Sequence, residues 1–155
     1  MNKEIQSIIR NFQDVTYKEP WYGRSVFALL EDVDPAKAGK KITEDAHSSL
    51  EILYHMITWA DFTLKRIVGD KEDMETIEKI DWRQIDPEKH TWEKGLAELK
   101  TIHEKIFQLL EEKDDEFLKE KVDYRDYKFR YLLNGLMQHN IYHAGQIAYI
   151  TKYLH

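Results

Sequence analysis

The sequence predicts an all-α protein, a four-helix bundle with a long crossover between the second and third core helices and one short extra helix. Three observations carry this expectation. Four long stretches repeat their apolar residues at the 3.6-residue helical period, no stretch shows the strict alternation of a half-buried strand, and a mostly charged connection, Gly69 to Ile85, separates the middle two stretches. That connection is too long for a tight turn between antiparallel neighbours, so it implies a crossover. At 155 residues the chain fits a single domain, 1–155, that buries about two-thirds of its unfolded surface in one core.

Asn2 is placed to cap a first helix whose apolar positions are Ile5, Ile8, Ile9 and Phe12, ending before Pro20. The segment Pro20–Ser25 reads as a turn. Val26, Phe27, Leu29, Leu30 and Val33 then form a short helix closed by Asp34-Pro35, a connector packed on the bundle. Thr43 is the expected N-cap of a long helix running to about Val68, with Gly69-Asp70 as its stop. On its wheel Ile52, His55, Trp59, Phe62 and Arg66 share a stripe, with Ser48 and Glu51 on the preceding turns of that face.

In the crossover, Ile77, Ile80 and Trp82 are scattered apolar anchors. Asp86-Pro87 supplies a cap followed by proline at the first helical position, and the helix it starts carries Trp92, Leu96, Leu99, Ile102, Ile106 and Leu110 to about Glu112. Lys113–Arg125 is a polar connection, and Asp126 caps the last helix. The inward line of that helix is Leu132, Leu136, His139, His143, Ile147 and Ile150.

Composition narrows the function. Lys and Arg total 23 against 29 Asp and Glu, giving a net charge of -6, and the longest basic run is Lys40-Lys41. A dedicated nucleic-acid binder needs clustered cations to engage phosphates, so that class is excluded. The absence of cysteine removes disulfides, thiolate-held zinc and a cysteine nucleophile together, so a bound metal must use imidazole, carboxylate or water. No apolar run reaches transmembrane length, and the first residues lack the apolar core of a secretory signal, which makes the cytoplasm the expected location.

Helical spacing puts His139 and His143 one turn apart, about 40° from each other on the surface of the last helix. Two imidazoles so placed can bind one metal ion, although each alone also reads as a core residue with one hydrogen bond. A third ligand must come from another helix and face inward, and His55 meets both conditions. Three neutral imidazoles leave coordination positions open for water or substrate, the arrangement of catalytic rather than structural sites. Zinc, nickel and iron(II) all suit imidazole, so ligand type does not choose the divalent metal. His47 lies about 80° from His55 on the wheel and reads as a cap or surface residue. His90 and His155 read as solvated. His103 borders the core stripe of the third long helix and is the competing ligand, or else a boundary residue.

The run Leu50-Glu51-Ile52-Leu53-Tyr54-His55-Met56-Ile57-Thr58-Trp59 and the run from Gly135 to Ile147, containing Gln138-His139-Asn140-Ile141-Tyr142-His143-Ala144-Gly145-Gln146, resemble the DinB/YfiT-like family of metalloenzymes. The turn Pro20-Trp21-Tyr22-Gly23 and the short helix after it are similar too, so the resemblance spans nearly the whole chain. It departs at Leu50, where many members have tryptophan, a position that is not a ligand. The resemblance implies a four-helix bundle with a long crossover, binding a divalent metal through His55, His139 and His143, the same three residues that the wheels select. For activity it implies a transferase of low-molecular-weight thiols such as bacillithiol or mycothiol, or a hydrolase.

A metal serves either chemistry, by lowering the pKa of a thiol or by generating hydroxide from water. Glu51, one turn before His55, is the candidate general base or hydrogen-bond acceptor behind the ligands, or a carboxylate on the helix flank. Gln146 either orients a bound water or bonds backbone. Tyr142 either donates a proton or packs along the pocket, and Gly135 leaves room for substrate above the metal or permits close helix packing. The other class of function is a non-catalytic, metal-stabilised bundle acting as a stress-response binding protein. The implied partner is a small molecule, and exposed Trp21 and Tyr22 suggest a further surface, for instance for a second copy of the chain.

Overall fold

Six α-helices organise residues 2–155, the part of the chain described in this computed structural model, and no strand occurs among them. The all-α class is therefore as expected, and where the helices begin is decided by local capping chemistry. Helix α1, Lys3–Tyr17, buries Ile5, Ile9, Phe12 and Val15. Asn2 stands at its start but makes no side-chain cap bond. Instead Asp115 Oδ1, 110 residues further along the chain than Ile5, accepts from the backbone N–H of Glu4 and Ile5 at 3.1 and 2.9 Å, satisfying donors that a helix start leaves orphaned. Helix α2, Val26–Glu31, is the short extra helix, capped by Ser25.

Helix α3, Ser49–Val68, starts five residues later than Thr43 would place it. Ser48 and Glu51 form a capping box, with the Glu51 N–H bonded to Ser48 Oγ at 3.2 Å and the Ser48 N–H bonded to Glu51 Oε2 at 2.7 Å. Two reciprocal bonds satisfy two orphan donors, which Thr43 alone could not match. The helix stops at Gly69, whose φ of 82° is in the left-handed region that glycine adopts without steric penalty.

The crossover is more ordered than its charged composition suggests. Asp73 caps helix α4, Met74–Asp81, which packs on α3 through buried Ile77. Ile80 and Trp82, expected as anchors, are 39% and 43% exposed. Asp86-Pro87 opens a single turn closed by the His90 N–H on the Asp86 carbonyl and the Asp86 N–H on His90 Nδ1. The chain then extends at Thr91, which caps helix α5, Trp92–Glu111. His90 is thus partly buried in this turn, with its ring at the edge of Tyr54.

The segment before the last helix contains a 3-10 turn, Phe117–Lys119, and pairs Lys121 with Lys128 in a short antiparallel bridge. It is not wholly polar, since Phe117, Leu118 and Val122 are buried and Phe117 stacks on Phe129 at 4.2 Å. Asp126 is exposed and ion-paired with Lys121. Lys128 takes the N-cap position of helix α6, Phe129–Tyr153, because the bridge, through the Phe129 N–H on the Glu120 carbonyl, sets where the helix begins.

Helices α1, α5, α3 and α6 pack in a ring, each against the next, with α2 on α1 and α6. Gly95 lets α5 approach α3: a Cβ there would lie 2.8 Å from Leu53 Cδ2. Across the ring, His103 is 1% exposed and corrects its expected boundary placement. Its Nδ1–H donates to the Leu99 carbonyl at 2.9 Å, while Nε2 accepts from Asn140 Nδ2 at 2.8 Å. Burial without a charged partner holds its pKa down at about 4.

Candidate metal centre

His55 stands on the face of α3 that meets α6, and His139 and His143 stand one turn apart on the facing side of α6. The packing brings together the three residues chosen from sequence. One ring nitrogen from each lies within 4.8 Å of the other two, and the Nε2 atoms of His55 and His139 are 3.0 Å apart. Two nitrogens at about 2.0–2.1 Å from one ion are separated by about 3 Å at a right angle and by slightly more at a tetrahedral angle.

The other side of each ring decides which nitrogen is free. The Asp81 carboxylate only accepts, so its Oδ1, 2.6 Å from His55 Nδ1, holds the proton there and leaves Nε2 with the lone pair. The same oxygen accepts from the indole N–H of Trp59 at 2.8 Å. On α6, Gln146 Oε1 accepts from His143 Nδ1–H at 2.6 Å. Acceptors behind the rings are how metal-binding histidines are commonly oriented. His139 has no such partner, and its Nδ1 is buried and unpaired among the described residues.

Charge state follows from burial. Burial, with neighbouring His143 and His55, pushes His139 down to about 3. His143 is pushed down to about 4, chiefly by burial, against the bond to Gln146. Burial also lowers His55, outweighing the opposing pull of Asp81. Three neutral imidazoles at neutral pH, with one ring nitrogen of each converging and two fixed Nδ1–H groups, fit a divalent cation.

Trp82 stacks on His55 with ring centres 3.8 Å apart and carries His47 on its other face, also at 3.8 Å. Beside this stack opens a cleft of about 850 Å³, lined by His55, Trp82, Tyr142, His143 and Gln146. Tyr142 is 64% exposed, with its ring edge-on to His143 at 4.9 Å. Glu51 does not line this cleft. Its carboxylate holds the α3 cap and pairs with Lys41 at 3.2 Å. Burial pushes its pKa up, but the bonds to Ser48 and Lys41 prevail and leave it below its ordinary value. Gly135 faces a separate apolar pocket that His139 also borders. His103 is not among the clustered histidines.

Asp81 and Trp82 are the site residues that sequence reading missed. They lie beyond the bundle helices, at the end of α4, where no periodicity marks them. The available signal was on α3: Trp59 and His55, one turn apart on the core stripe, each bring an N–H that needs an acceptor when buried.

Among solved structures the chain is similar to a DinB-like protein, YjoA, from Bacillus subtilis, with 21% identity over 96% of this chain and 92% of that one and a TM-score of 0.64. At that identity the likeness speaks to the fold. A search of curated proteins finds no match. The sequence profile of the DinB superfamily matches residues 23–147, which include all three clustered histidines, and this chain belongs to that superfamily.

Proposed function

We propose that this protein is a metal-dependent enzyme that delivers a low-molecular-weight thiol, or water, to a small electrophilic substrate. The observation that carries this reading is the convergence of three imidazole nitrogens beside an open cleft, with no fourth histidine or carboxylate in the cluster among the described residues. A cation held only for structure would call for a closed shell. The residues that the sequence offered to close one, Glu51 and His103, are engaged in helix capping and in the pair with Asn140.

His55, His139 and His143 would hold the ion, and the chemistry it supplies when bound is Lewis acidity, which lowers the pKa of a thiol or water. The protein's residues do the rest. Asp81 and Gln146 keep His55 and His143 in the ligating tautomer, Trp82 forms a wall of the cleft, and the exposed Tyr142 phenol is placed to donate a proton to a leaving group. A volume of about 850 Å³ is near the upper end for small-molecule sites. It offers room for a thiol beside the cluster, which favours transfer over hydrolysis.

The test is elemental analysis of protein purified without chelator, alongside His55→Ala, His139→Ala and His143→Ala, followed by conjugation assays pairing several thiols with a chromogenic aryl halide. The parent is expected to carry about one metal per chain and the variants to lose it. A metal-free parent, or variants that bind as well, would sink the proposal. A metal-bearing parent inert with every thiol, and toward ester hydrolysis, would leave only the structural role.

A further inference from the structure

Gly135 is a glycine in the middle of a long helix that local packing does not explain. In a helix interior glycine is less favourable than alanine by about 1 kcal/mol. Gly95 has a steric reason, because a Cβ there would press on Leu53 and Tyr54. Gly135 has none, since a Cβ at this position meets no atom within 4 Å, and φ there is not positive. What its missing side chain leaves is space.

That space is an apolar pocket of about 140 Å³ bordered by Trp59, Thr63, Tyr127, Leu132, Gly135 and His139. It is distinct from the large cleft, whose lining includes His55 and His143 but not His139, so the two cavities reach the histidine cluster on different sides. The exposed surface of its wall is almost wholly apolar. The Trp59 indole N–H donates to Asp81, the Thr63 hydroxyl donates to the Trp59 carbonyl at 2.9 Å, and His139 Nδ1, which is unpaired among the described residues, lies buried beneath that surface. A charged occupant would find no partner for its charge and would lose its hydration. The size is close to that of an apolar cavity of about 150 Å³ known to take up benzene.

We infer that this pocket binds the apolar part of the substrate, an uncharged single ring or short branched aliphatic group, and holds it beside His139. The inference rests on the proposed reading of the neighbouring cluster as a metal centre, and it names the class of electrophile that the centre serves. Gly135 is then a specificity-determining position, where a methyl would shorten the pocket and a larger side chain would fill it.

The test is titration of 4-fluorotoluene, followed by fluorine NMR, into the protein as purified and after chelation, with 4-fluorobenzoate as the charged counterpart and metal content measured in parallel. The parent is expected to bind 4-fluorotoluene at least tenfold more tightly than 4-fluorobenzoate. Gly135→Ala should weaken binding several-fold and Gly135→Leu at least tenfold, with metal content unchanged. Should Gly135→Leu not fold, Gly135→Ala decides. No binding by the parent, equal binding by the folded variants, or equal binding of the benzoate overturns the inference. Absence of metal from the parent, with the probe pattern as expected, strikes the metal centre and leaves the pocket standing.

Discussion

Asp81 Oδ1 sits 2.6 Å from His55 Nδ1, so a residue of the crossover fixes the tautomer of a proposed ligand on a core helix. Removing such an acceptor from behind a ligating histidine typically lowers metal affinity about 10–100-fold. Asp81→Ala is expected to weaken zinc binding within that range, measured by competition with a chromophoric chelator. Asp81→Asn, which keeps a carbonyl acceptor, should lose less. Parent-like affinity in both variants would show that the bond has no part in holding the ion.

His103 makes stability depend on pH. Its pKa is about 4 in the folded chain against an ordinary 6.5, so between these values the unfolded state binds the proton and the folded state does not. The stabilisation is present above about pH 6.5 and is lost as pH falls toward 4, with a full span on the order of 3 kcal/mol. Urea unfolding of chelated protein at several pH values, compared with His103→Gln, checks this. The variant should show a shallower fall between pH 6.5 and 4.5, and an unchanged slope would mean that the buried imidazole takes up its proton without unfolding.

Two glycine-to-alanine changes should act in opposite directions. Gly135→Ala meets open space and is expected to stabilise by up to about 1 kcal/mol through helix propensity. Gly95→Ala places a methyl 2.8 Å from buried Leu53, and overpacking of about 1–3 kcal/mol should exceed that gain. Thermal melts of the two variants read the signs directly, and a stabilised Gly95→Ala would mean that α3 and α5 separate at little cost.

Glu51 is expected to behave as a capping residue. Glu51→Ala removes half of the capping box and should lower stability by about 1 kcal/mol, by analogy with other cap deletions, while leaving zinc affinity unchanged. Urea unfolding and chelator competition on one preparation separate these outcomes. A loss of zinc affinity without a loss of stability would return Glu51 to the metal centre.

How much of this was legible in the sequence depended on whether a residue's environment was local. The stripe on α3 and the row on α6 each follow one helical period, and inward-facing histidines on two such rows identify the cluster. Helix starts were less legible because several capping signals compete: Ser48 with Glu51 prevailed over Thr43, and Thr91 over Asp86-Pro87. Asp126 lost the start of α6 to a backbone bridge between Lys121 and Lys128. Asp81 and Trp82 were illegible for a different reason. They meet α3 through the tertiary path of the crossover, and their spacing to His55 carries no period. His103 marks the limit of a wheel, which cannot tell a ring-facing edge from a solvent-facing one until the partner, Asn140, is in place.

The stack of His47, Trp82 and His55 has an optical consequence. An indole clasped between two imidazoles at 3.8 Å, with one face of the clasp made by a proposed ligand, is a fluorophore built into the wall of the cleft. Its emission is expected to respond to the state of His55, so that events at the site can be followed in the unlabelled protein, with Trp82→Phe as the blank.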